Sequence, residues 1–187
     1  GGGAGTGDLF NAGNAKIQGL EIGIEYDLLH KKNANSDLKL PVSIAYTYTD
    51  AKFQETFVNG GGDWGSGTIN KNDLIPFITP HLLTTSIGIE NKKFNATIIG
   101  RYTGETRTKP GQSDAIVPND NIKYNDVNTI TGFLIIDVSA NYKFSQNFSA
   151  FATINNITNN KSIVANLPQG YRPNMPLSFN IGLKAEF

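Results

Sequence analysis

The side chains best suited to hold a ligand here are three guanidiniums and one amide: Arg101, Arg107, Arg172 and Asn166. An arginine fork meets a carboxylate through two parallel hydrogen bonds and stays charged at any physiological pH. Arg101 and Arg107, with Lys109 close behind, therefore form a candidate anion site. Glu105 and acids on neighbouring elements are the competing partners, and pairing with them would leave the cations as part of a solvated surface. Arg172 and Asn166 share a later segment, where the amide would act as a neutral hydrogen-bond donor. No metal site is expected: His30 and His81 are the only histidines, cysteine is absent, and no carboxylates stand at ligand spacing to either. Asp114, Asp120 and Asp126, interleaved with Asn119, Asn121 and Asn125, do not match the spacing of a calcium loop. The glycine-rich opening lacks the helix that a phosphate cradle requires. No serine, histidine and acid stand in a catalytic arrangement. The chemistry offered is binding, with no catalytic residue, no enzyme activity and no resident cofactor.

Bulk composition narrows the context. Of the 187 residues, 17% are charged, low for a water-facing surface, and the formal net charge is zero. Nucleic acid is excluded as a partner, since no basic excess is present. No segment approaches the ~20 apolar residues of a membrane helix. No secretory signal is visible. The opening, Gly1 to Asp8, reads as the middle of a loop and marks the chain as a fragment or a processed product.

The elements that must position these groups are strands. Pro176 to Phe187 alternates throughout: Leu177, Phe179, Ile181, Leu183, Ala185 and Phe187 on one face, Ser178, Asn180, Gly182, Lys184 and Glu186 on the other. The same alternation places strands at Leu20–Leu28, Val42–Thr49, Leu83–Ile89, Phe94–Thr103, Leu134–Phe144 and Phe148–Ile154. No window carries a helical period. Short polar connections, such as Asn91-Lys92-Lys93 and Ser145-Gln146-Asn147, alternate with long ones at about 54–79, 106–131 and 158–175. Long loops on one side and tight turns on the other are the plan of an antiparallel transmembrane β-barrel. The aromatics sort by height on the apolar face. Tyr26, Phe94, Tyr142, Phe144, Phe148 and Phe187 fall at the short-turn end, Tyr46, Tyr48 and Tyr102 at the other. Girdles at two membrane interfaces would have this pattern. Arg101 then lies on the lumen face near the outer mouth. Seven strands cannot close a bacterial single-chain barrel, which uses an even number, so either one more strand lies in the N-terminal loop or the chain is about seven C-terminal strands of a larger barrel, and the loop lengths favour the second.

Several motifs resemble one family. Asn14-Ala15-Lys16-Ile17-Gln18-Gly19-Leu20-Glu21 is similar to the x-G-x-E strand opening of TonB-dependent receptors, and Tyr46-Thr47-Tyr48-Thr49-Asp50 to their Y-T-Y-T-D strand end. Ile75-Pro76-Phe77-Ile78-Thr79-Pro80-His81 resembles the lead into the next strand. Asn155 to Lys161 resembles N-x-x-D-K, with Asn159 where Asp is usual. Gly170 to Pro176 resembles G-x-x-P-x-x-P-R, with Leu177 in place of the Arg. Within the family, Arg101 to Gly111 looks most like the ferric dicitrate receptor branch.

The resemblance implies a parent barrel of about 22 strands with a plugged lumen, with residues 1–187 as the C-terminal part of its barrel domain and the plug domain absent from this chain. It implies a multi-pass protein of the bacterial outer membrane that takes up a ferric chelate, iron entering only as chelated substrate. Arg101, Arg107, Arg172 and Asn166 would be its ligand contacts in this segment. The implied partners are outer-membrane lipid, the barrel-assembly machinery through the C-terminal strand, and TonB through the missing N-terminal region. Two other readings stay open on the residues alone. One is a small self-contained barrel acting as an adhesin or passive pore, and the other is a soluble β-sandwich binding module.

Overall fold

A computed structural model describes residues 13–30, 37–60, 66–110, 129–166 and 170–186. Among these residues thirteen strands run in chain order. Seven are long: β1 (Ala15–Asp27), β2 (Pro41–Phe53), β5 (His81–Glu90), β6 (Phe94–Thr103), β9 (Phe133–Lys143), β10 (Phe148–Asn155) and β13 (Ser178–Ala185). They form one antiparallel sheet in the order β1-β2-β5-β6-β9-β10-β13, each strand beside its neighbour in the meander. The seven expected strands are all present. β1 and β2 run further toward the long connections than the alternation indicated, and β13 is shorter, because Pro176 and Leu177 belong to the preceding loop.

Side-chain alternation and register together give the sheet two chemically distinct faces. One row crosses all seven strands as Tyr26, Val42, Ile87, Ile98, Val138, Ile154 and Phe179. The opposite face carries rows such as Gly88, Thr97, Ser139, Thr153 and Asn180. Hydroxyls and amides bridge this polar face between strands, as Ser43 and Ser86 do at 2.7 Å and Asn180 Nδ2 and Thr153 Oγ1 at 3.3 Å.

Among the described residues nothing packs on the apolar face. Ile24, Ile181 and Leu183 are 56, 77 and 81% exposed. A sandwich would bury such residues against a second sheet, so the soluble β-sandwich alternative is not the fold. The buried apolar residues, Ala51, Phe53, Ile69 and Ile130, all lie at the long-connection end.

The two ends differ as expected. At the short-turn end, the Asn91 carboxamide accepts hydrogen bonds from the backbone of Lys93 and Phe94, both 2.9 Å, which closes the β5–β6 turn without further residues. At the other end the long connections carry strands that the alternation did not indicate. Each carries its own small hairpin: β3 (Phe57–Gly60) with β4 (Ser66–Ile69), β7 (Thr106–Arg107) with β8 (Thr129–Ile130), and β11 (Ile163–Ala165) with β12 (Arg172–Pro173).

Gly19 shows why a glycine sits in the opening of β1. A Cβ there would lie 2.3 Å from the Tyr48 carbonyl oxygen, a backbone atom that cannot move aside.

Candidate ligand-binding end

The polar groups singled out in the sequence cluster at the long-connection end, in two layers. The lower layer is the upper part of the sheet. Arg101 sits on the polar face of β6, half exposed, and forms an ion pair with Asp137 of β9. The other Asp137 oxygen accepts a hydrogen bond from Asn156 N at 2.8 Å. One carboxylate therefore ties β9 to a cation on β6 and to the end of β10. For Arg101 the structure thus shows the pairing with a neighbouring-strand acid that competes with a ligand role.

The upper layer consists of the small hairpins. Arg107, expected at the mouth as a ligand group, is instead buried in β7 at 7% exposure, with Nε directed to the Lys109 carbonyl at 3.3 Å. Its backbone oxygen accepts from Phe77 N at 2.8 Å. Phe77 has φ of 60°, a rare conformation for a bulky residue, held between Pro76 and Pro80. Asn166 is also buried, and its Nδ2 donates to Thr108 Oγ1 at 3.2 Å, linking the residue after β11 to the segment after β7. Arg172 pairs opposite Ala165 in the β11–β12 hairpin and is exposed. Arg107, Asn166 and Arg172 thus belong to one hairpin layer, with Arg101 in the sheet below. Neither loop aspartates 114, 120 and 126 nor Phe187 lie within the described residues.

Sequence reasoning missed the asparagine network that organises this end. Asn156 is 1% exposed. Its Nδ2 donates to the carbonyls of Asn160 and Met175, both 2.9 Å, and its Oδ1 accepts from Asn160 N at 2.9 Å. Asn174 Nδ2 also reaches the Asn160 carbonyl at 2.9 Å, and Asn174 Oδ1 accepts from Ser162 N at 3.2 Å. Asn159 Oδ1 accepts from Leu177 N at 3.3 Å. The backbones of Asn156 and Asn159 take positive φ, which asparagine tolerates better than most residues. The signal available in the sequence was the run Asn155, Asn156, Asn159, Asn160 and Asn174.

Beside this network is a cavity of about 400 Å³ between Thr129–Gly132 and Asn159–Ile163, also lined by Asn166 and Tyr171. A second, of about 460 Å³, is lined by Tyr48, Lys52, Ile78, His81, Tyr102 and Arg107 among others. His81 sits among ring neighbours: Tyr46 Oη and His81 Nδ1 are 2.8 Å apart, and the Tyr48 ring centroid is 5.2 Å away. His30 is exposed beside the β1–β2 connection. Among the described residues, no three His, Cys, Asp or Glu gather as a metal centre.

The aromatics expected at the membrane interfaces share one face by register, whereas Phe151, paired with Asn141 and Gly182, stands on the other. Tyr26, Tyr46, Tyr48, Phe94, Tyr102 and Tyr142 lie in the apolar rows. Phe148 pairs with Ala185 on that side, and Phe144 contacts Tyr142 edge-on, with ring centroids 5.2 Å apart.

Residues 1–157 match the family described as "TonB dependent receptor-like, beta-barrel". The chain belongs to this family. Its all-antiparallel sheet of long and short connections is part of the TonB-dependent receptor barrel fold. Two solved structures share that fold. The outer membrane transporter YddB from Escherichia coli aligns with a TM-score of 0.59 at 12% identity, covering 92% of this chain and 26% of that one. The ferric-catecholate import receptor Fiu from Escherichia coli K12, in its closed form, aligns with a TM-score of 0.50 at 15% identity, covering 100% of this chain and 30% of that one. The chain spans less than a third of the length of either structure. No curated protein matches it in sequence.

Proposed function

We propose that this chain is the C-terminal wall of an outer-membrane receptor that imports a siderophore-type ferric chelate using energy from TonB. The observation that carries the reading is the sheet's apolar face, which no other layer covers among the described residues, in a chain of the TonB-dependent receptor barrel family. Hydrocarbon is the medium that stabilises such a face, and a larger barrel of about 22 strands is the closure that leaves no open edge at β1 and β13. In that setting the long-connection end faces the cell exterior and the polar face lines the lumen. Tyr26, Phe94, Tyr142, Phe144 and Phe148 form the inner aromatic girdle, and Tyr46, Tyr48 and Tyr102 the outer one.

Upstream residues supply the plug and the TonB contact, and β13 presents the terminal strand to the barrel-assembly machinery. The protein carries iron only as substrate and catalyses no reaction. Fiu is by name a ferric-catecholate receptor, whereas the Arg101–Gly111 segment of this chain resembles the ferric dicitrate branch, so ferric citrate is the finer reading.

The test is accumulation of radio-iron by cells expressing the full-length receptor, with and without TonB, offered ferric citrate and a ferric catecholate separately. TonB-dependent accumulation of one chelate is expected. Absence of uptake of either, in cells with the receptor folded in the outer membrane, would overturn the proposal.

A further inference from the structure

The cavity beside the asparagine network carries charge of one sign only, which narrows what can occupy it. Asn159 Oδ1 is engaged by Leu177 N, and Asn160 Oδ1 by the Ser162 hydroxyl. The acceptor ends of both carboxamides are thus committed to holding the loop, and neither amide nitrogen donates to any described residue. Lys161 follows them in sequence, exposed and in no ion pair among the described residues. Residues 159–161 thus offer two amide donors and an ammonium, while Asn166, whose Nδ2 donates to Thr108, brings an amide oxygen to the same lining. No Asp or Glu lines the cavity, and Tyr171 and Thr131 supply hydroxyls at its rim.

The wall is fixed before any ligand arrives. Buried Asn156 and the Asn174 amide hold the Asn160 backbone from two sides. Preorganised donors bind an acceptor-rich group without the entropic cost of ordering a loop. Lys161 is the one charged side chain on the lining and no acid stands beside it, so an oxyanion is favoured over a neutral polyol.

We propose that this cavity is a carboxylate subsite, in which Lys161 with the Asn159 and Asn160 amides holds a carboxylate of the imported chelate. The proposal rests on the uptake reading above and deepens it, placing one ligand contact at the end of β10. Arg101 and Arg107 are already engaged elsewhere in the structure.

The experiment uses the purified full-length receptor and citrate without metal as the probe, with glycerol as the neutral control, followed by equilibrium calorimetry. Lys161→Gln removes the charge. Asn159→Asp keeps the oxygen that accepts from Leu177 and replaces the donor with a negative charge. Each substitution is expected to weaken citrate binding about tenfold or more, with heat-modifiable migration of the receptor unchanged. Citrate affinity unaltered in both variants, no citrate binding by the unsubstituted receptor, or equal binding of glycerol would each overturn the subsite. Radio-iron uptake by the same receptor separates the two proposals. Uptake that persists while citrate binding fails removes the subsite alone, and loss of all chelate uptake in the unsubstituted receptor removes the function beneath it.

Discussion

Ile98 offers the sharpest test of which medium touches the apolar face. It lies on β6 midway between Phe94 and Tyr102, four residues from each, and flanking strands present Ile87 and Val138 beside it. At ~3.3 Å per residue and a tilt of ~40°, the two aromatics stand roughly 20 Å apart along a membrane normal, so Ile98 is near the bilayer midplane. An arginine at that depth costs about 2–4 kcal/mol. Thr97 is the matched control, adjacent in sequence but on the polar face opposite Gly88, where an arginine meets water. The assay equilibrates urea-dissolved full-length receptor with lipid vesicles at the midpoint for the unsubstituted protein, and reads the folded fraction from heat-modifiable migration. Ile98→Arg should lower the folded-to-unfolded ratio roughly 30- to 700-fold at about 1.4 kcal/mol per factor of ten. The folded band would nearly vanish, whereas Thr97→Arg should stay near half folded. Equal loss at both positions, or tolerance at both, would refute the assignment of the two faces.

Other consequences follow from the packing. Asn156→Ala removes a buried amide that joins Asn160 to Met175, and should cost about 2–3 kcal/mol locally, read as faster limited proteolysis between residues 157 and 177. Asp137→Ala should destabilise more than Asp137→Asn, since Asn still offers an oxygen to Asn156 N while both lose the Arg101 pair; thermal melts in detergent would rank them. A Cβ on Gly182 would stand 2.3 Å from the Phe151 ring, so Gly182→Val should cost about 1–3 kcal/mol alone and less in combination with Phe151→Ala, as a double-mutant cycle would show. Asn159→Asp combined with Leu177→Arg should be more stable than Asn159→Asp alone, because the pair restores both charges of the resembled motifs at positions that already touch.

The strands were legible because alternation is a local property and polar turns punctuate it. All seven strands, and the sharing of one face by Tyr26, Ile98 and Phe179, follow from period two and one consistent register. The hairpins in the long connections were not legible. β7 and β8 have two residues each, and their pairing is set by contacts between segments distant in sequence. The same non-locality explains Arg107. Its residue type invites a ligand role, but the Phe77 amide and the Asn166–Thr108 bond enclose its segment in the hairpin layer. Asn159 and Leu177 each departed singly from a family pattern in the sequence. In the structure they meet, the Leu177 backbone N–H donating to Asn159 Oδ1, a contact between positions eighteen apart that no local pattern shows.

The central claim is that lipid covers the even-numbered face of β6 and water the odd-numbered face. Nitroxide labels placed one at a time from Asn95 to Arg101 in the membrane-embedded receptor test it directly, through collision with oxygen, which concentrates in hydrocarbon, and with a water-soluble nickel chelate. The account predicts oxygen accessibility peaking at Ala96, Ile98 and Gly100, and nickel accessibility peaking at Asn95, Thr97, Ile99 and Arg101. Labels at Ala96, Ile98 and Gly100 that meet the nickel chelate, or neither reagent, would contradict it.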